Sequence, residues 1–246
     1  MRFPSDVQSV FLFGTGKRIN RAPALKRLKE SQQDYLLKYL MLKLAPVLLK
    51  LKPAYLFALS DCARSNGKNH YCLWEEQKKD IARTLNISFK ELKNSPCAKQ
   101  VLFYDQERLF SALTQPESLA FLRRFGYSSC QRVEDYLKML KRRFCSVGIY
   151  DTGGNACFFP HEIGLFLGYP LKDVQGFIKK KDLPSTYMGR WQVFGETEES
   201  MRLMRLYEKA EMVFSNFIKN GRDPILWTER ITTHFRKIGA GMVYGV

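Results

Sequence analysis

His161 and Glu162 are the one place in the chain where a histidine stands beside an acid. An imidazole that titrates near neutral pH can accept a proton as a general base or bind a metal through a ring nitrogen, and a carboxylate can do either. Adjacent residues do not share a helix face, so the pair has a plainer reading too. Both residues can close the start of a short helix, where a Glu sits well against the positive end of the helix dipole. Cys157, followed by Phe158, Phe159 and then His161, adds a candidate thiol–imidazole dyad. Other chemistry fares worse. Three histidines and no Cys-x-x-Cys pair argue against a structural zinc site, so no metal ligands are expected. Cys62 and Cys72 lie at no ligand spacing and read as small core residues. Ser60-Asp61 lacks the glycine elbow of a nucleophilic serine. In FGTGKR (13–18) a single residue separates the glycines, where a phosphate loop needs four and a Ser or Thr after the Lys.

The surrounding stretch, FFPHEIGLFLGYPLKDVQGFIKKK (158–181), divides into two short helices. Pro160 and Pro170 suit first turns and Gly168 is a stop. Ile163, Leu167, Val174, Phe177 and Ile178 would face one another across a helical hairpin at 160–180. That spacing is also that of a helix-turn-helix DNA reader, in which Lys172, Asp173, Gln175 and Lys179 of the second helix would point outward to bases and phosphates. Any tight pair of helices needs apolar residues at such positions, however, and Gly176 weakens a recognition helix. Arg190 with Trp191 and Phe194 could stack a base, or the aromatics could fill the core side of a strand. Lys172, Gln175, Lys179 and Arg190 are therefore the nucleic-acid-binding candidates. DIARTLNISFKEL (80–92) repeats the helix-turn-helix spacing, which lowers the value of both matches, and its second half reads better as extended chain.

The positioning elements must come from a chain of 246 residues with 45% hydrophobic content, which excludes a disordered protein and leaves ample core for one or two domains. Lys and Arg number 40 against 24 Asp and Glu, a net charge of +16. The excess is uneven: residues 1–52 hold 11 basic and 3 acidic side chains. Nucleic acid or another anionic partner is the simplest use for that charge, and a solvated arm is the simplest use that needs no partner. Six cysteines without a secretory pattern read as free thiols in a cytoplasmic protein. The apolar segment 35–51 carries Lys38, Lys43, Pro46 and Lys50, too many interruptions for a membrane span. It suits a packed helix, capped by Ser31 with Asp34 and kinked or ended at Pro46.

Periodicity predicts strands at 54–59, 100–104 and 190–194, and helices at 74–85, 106–113, 116–125, 132–144 and 197–219. The last shows the clearest stripe, from Leu203, Leu206 and Tyr207 to Phe217 and Ile218. The expected fold is α+β, a small sheet of about three strands covered by helices. A single domain at 31–219 is expected between a basic extension, 1–30, and a tail, 220–246.

PHEIGLFLGYPLKDVQGFI, followed by GRWQVFGE and a long helix containing Tyr207, resembles the uncharacterised bacterial family called domain of unknown function 3793, and LAPVLLKLKPAYLF (44–57) fits the same family. The resemblance implies no activity or cofactor. The family pattern does place a His-Cys pair just before the proline equivalent to Pro46 and a Cys shortly before the Trp equivalent to Trp191. This chain has Lys43, Leu44 and Met188 there. If the family works through those thiols, this chain lacks them and keeps only His161 and Glu162. The function expected is a non-enzymatic binding protein with a basic surface. The rival is an enzyme or metal-binding protein centred on His161 and Glu162.

Overall fold

The computed structural model describes residues 32–61, 67–95, 98–145, 159–179 and 184–222, together with residues 226 and 233. Its elements run α1 (Gln32–Leu48), β1 (Ala54–Ser60), α2 (His70–Leu85), β2 (Ser88–Ser95), β3 (Ala98–Tyr104), α3 (Gln106–Leu113), α4 (Pro116–Arg123) and α5 (Val133–Cys145). After these come α6 (Ile163–Phe166), α7 (Leu171–Ile178), β4 (Tyr187–Met188), β5 (Gln192–Val193) and α8 (Glu198–Lys219). The fold is α+β.

Strands β1, β3 and β2 lie side by side in that order, each pair antiparallel. Side chains alternate across a strand, so β3 sends Val101 and Phe103 to one face and Leu102 and Tyr104 to the other. Helices cover both faces. Leu36, Leu40 and Leu44 of α1, Trp74 and Ile81 of α2, and Ala210 and Phe214 of α8 pack on the Phe103 side. Helices α3 to α7 pack on the Leu102 side. A sheet covered twice has no solvent face, which is why AYLFAL and QVLFY read as unbroken apolar runs.

The third strand of this sheet is β2, not 190–194 as expected. SFKELKNS is polar, and a bulge at Leu92 interrupts its register against β3, so its alternation is lost from the sequence while Leu92 still reaches the core. The 190–194 segment contributes only Gln192 and Val193, paired with Tyr187 and Met188 in a separate two-stranded ribbon. Its Trp191 and Val193 are buried with Met204 and Tyr207 instead of against the sheet.

Helix α2 begins four residues before the expected Trp74. Asn69 caps it, its side chain accepting from the amides of Tyr71 and Cys72. Pro46 does not end α1, which continues to Leu48 while the Pro46 carbonyl accepts from the amides of Leu51 and Lys52. Ser31, its expected cap, lies outside the described residues. Among the described residues no helix is long and apolar enough to cross a membrane.

The glycine that weakens α7 on paper has a packing role. A Cβ on Gly176 would lie 2.3 Å from Cγ of Phe194, so the bare backbone is what lets the ribbon's end lie against the hairpin. Helix propensity alone expects Gly176→Ala to stabilise by about 1 kcal/mol. The expected result is the opposite, a loss of about 1–3 kcal/mol from overpacking, read as a lower urea midpoint.

Candidate functional site

The hairpin of α6 and α7 is held by two close approaches. Gly168 turns the chain at φ +73°, and a Cβ there would sit 2.5 Å from Cδ of Pro53. Gly164 lies against Val174, where a Cβ would meet Cγ2 at 2.7 Å. Between this hairpin and the β4–β5 ribbon lies a cavity of about 50 Å³. Its walls are built from residues 159–177 and 191–192, the same two stretches that carry the family resemblance. Phe159, Tyr169, Phe177 and Trp191 give it aromatic walls, and His161, Asp173 and Gln192 are its polar residues.

His161 is half-buried, in ring contact with Phe159 and edge-on to Phe177 at 5.0 Å. Burial holds the imidazole below its ordinary 6.5, and the neighbouring Glu162 carboxylate offsets only part of that effect. The folded state therefore binds fewer protons than the unfolded chain just below pH 6.5, and stability from this group is lost as the pH falls through the folded value. His161→Gln is expected to flatten that part of the acid limb. Urea midpoints of both proteins between about pH 7.5 and about pH 5.5 give the comparison.

Glu162 does not join His161 at the cavity. It is 1% exposed, paired with the Arg143 guanidinium of α5, and accepts from the Tyr127 hydroxyl at 3.1 Å. Burial, then the Glu162 charge, push the Tyr127 hydroxyl well above its usual range. This carboxylate ties the hairpin to α5.

Asp173 was expected on the outward face and is buried instead, at 2% exposure. Its Oδ2 accepts from Trp191 Nε1 at 2.8 Å and Ser200 Oγ at 2.6 Å, and its Oδ1 from the Phe194 amide at 3.0 Å and Lys172 Nζ at 2.8 Å. One carboxylate thus joins α7, the end of the ribbon and the first turn of α8. Lys172 also reaches the Phe194 carbonyl and Ser200 Oγ, so it is committed to the same cluster. Gln192, 8% exposed, is different. Its amide oxygen has no hydrogen-bond partner.

Behind the cavity, Tyr169 stacks on Trp191 with ring centres 4.5 Å apart. Another neighbour is Lys52, 4% exposed, whose Nζ lies 5.2–5.5 Å from the ring centres of Tyr55, Tyr169 and Tyr207. Aromatic faces receive the ammonium group here.

Of the nucleic-acid candidates, Arg190 is bound in a fork to Glu211, both contacts at 2.8 Å, with Glu208 at 3.5 Å. Gln175 is half-buried beside Arg124 in a groove between α4 and α7, and Lys179 is exposed. Cys157 and Cys62 lie outside the described residues, and Cys72 is exposed, not a core residue as expected. Lys43 and Leu44 stand on α1, on the far side of the sheet, and Met188 is exposed on the ribbon. Among the described residues, no three His, Cys, Asp or Glu stand together in a way that could hold a metal ion.

The fold and site thus define a two-face-covered α+β domain with a small aromatic-walled cavity beside a carboxylate hub. The chain belongs to the family described as Protein of unknown function (DUF3793), whose model matches residues 40–226. No curated protein and no solved structure matches it.

Proposed function

We propose that this protein works by binding a small ligand in the cavity between the hairpin and the ribbon, without performing chemistry on it. The observation that supports the reading is the division of labour among the polar groups. Glu162 and Asp173, the carboxylates nearest His161, are each held by several donors and serve the fold. That leaves an aromatic-walled space bordered by His161 and Gln192, the composition of a recognition site: apolar walls with a few polar groups to orient the guest.

Fragment screening by ligand-observed NMR, with each hit then titrated into the protein while its Trp191 indole resonance is followed, tests the proposal. Hits should shift that resonance, and Phe177→Trp, which narrows the cavity from a half-buried position, should weaken them about tenfold or more. Hits that ignore both readouts would place binding elsewhere and end the reading.

A second reading, engagement of a polyanion such as nucleic acid, is favoured by the exposed Lys138, Lys141 and Arg142 on α5, with Lys179 past the end of α7. It expects duplex affinity to fall steeply with salt, by about one power of salt concentration per phosphate neutralised. Affinity indifferent to salt, or unchanged by Lys138→Ala with Lys141→Ala, would remove it.

A further inference from the structure

We infer that a second site, the cleft between the β4–β5 ribbon and the first half of α8, binds a free apolar α-amino acid as its zwitterion. This cleft holds about 270 Å³ and shares no residue with the cavity described above. Its apolar part is made by Met201 and Met204 of α8 and by Tyr187, whose ring is 42% exposed on the ribbon. Gly189 lets these surfaces close up, since a Cβ there would lie 2.5 Å from Sδ of Met204 and 2.8 Å from Cε1 of Tyr187.

Arg205 and Glu208, both exposed, supply the cleft with charges of opposite sign. They stand three apart on α8, a spacing at which opposite charges can pair along a helix. They do not pair with each other. Glu208 meets Arg190 at 3.5 Å, a guanidinium already forked to Glu211, while Arg205 has no ion-pair partner among the described residues. Arg190 thus serves two carboxylates and Arg205 none, so the cleft offers a guest one whole cation and a share of one anion. An α-amino acid carries a carboxylate and an ammonium one carbon apart and answers both, carboxylate to Arg205 and ammonium to Glu208. A simple anion would also face Glu208 and a simple cation Arg205, each a like-charge contact. The side chain of the guest then lies on the two thioethers and the Tyr187 ring, and flexible, polarizable Met surfaces adapt to its shape. Size agrees. Roughly 150 Å³ takes a benzene ring, so about 270 Å³ takes a molecule the size of leucine.

Matched molecules that lack one charge test this. Leucine is titrated into the full chain with carbon-13 in its methionine methyl groups, beside leucinamide, which lacks the carboxylate, and N-acetylleucine, which lacks the ammonium. Leucine is expected to shift the Met201 and Met204 methyl resonances and to bind about fivefold or more tightly than either derivative, near the upper end of what an exposed ion pair contributes. Arg205→Gln should remove the advantage over leucinamide, and Glu208→Gln the advantage over N-acetylleucine. Near-ultraviolet circular dichroism checks the fold of both variants. Leucine that leaves both methyl resonances unmoved at millimolar concentration, derivatives that bind as tightly as leucine, or advantages that survive the two substitutions would each overturn the inference.

Discussion

Asp173→Ala is expected to destabilise the protein by about 3–5 kcal/mol, the range for removing one partner from a buried charged network. The loss comes less from Lys172, whose side chain is 34% exposed and can turn to water, than from the donors left behind. The Phe194 amide and the Trp191 indole N–H each lose their carboxylate acceptor and are left as buried donors. Asp173→Asn keeps an oxygen but turns an amide N–H₂ toward donors, so it should fall between the two. Urea denaturation gives the stability, and Trp191 emission shifts to the red if the ribbon detaches. A loss below about 1 kcal/mol, with unchanged emission, would mean the cluster is not what joins ribbon, hairpin and α8.

The second large effect is an asymmetry. Glu162 is 1% exposed and its partner Arg143 is a third exposed. Deleting the cation strands a charge in the interior, while deleting the anion leaves a guanidinium that can reach water and still rests over the Phe125 ring at 5.2 Å. Arg143→Met is therefore expected to cost about 3–5 kcal/mol. Glu162→Gln, which can still accept from Tyr127, should cost only about 1–2 kcal/mol. A double-mutant cycle with urea midpoints measures both and their coupling. Equal single-mutant losses would contradict the burial argument.

Most of the scaffold was legible because its elements are long and face the core with one side. The α8 stripe, the α5 stripe and the apolar runs of β1 and β3 each announce their partner surface directly. β2 was legible only as extended chain in the second half of 80–92 and not as the third strand of the sheet: its bulge at Leu92 breaks the alternation by which strands are recognised. The ribbon misled for a different reason, since RWQVF has the composition of a strand but only two residues find a backbone partner. At the site, His161 could be picked from its chemistry alone and does line the cavity. Glu162 could be picked too, yet its role depends on Arg143 and Tyr127, which reach it from 19 and 35 residues away. Asp173 reads as an outward-facing acid of a recognition helix, and nothing local distinguishes that from a hub with four donors. Gln192 carried no signal at all, because an unmet acceptor is a property of the assembled fold.

The irregular β2 bears on how copies of this protein behave when crowded. An outer strand with free amides and carbonyls invites another molecule to extend the sheet, and long flat rims are where fibres start. Here that rim is kinked at Leu92 and carries Lys90 and Lys93 on either side of the kink. Two such rims meeting would match neither in spacing nor in charge, so the strand hardest to read from sequence also guards its own edge of the sheet against pairing with a second copy.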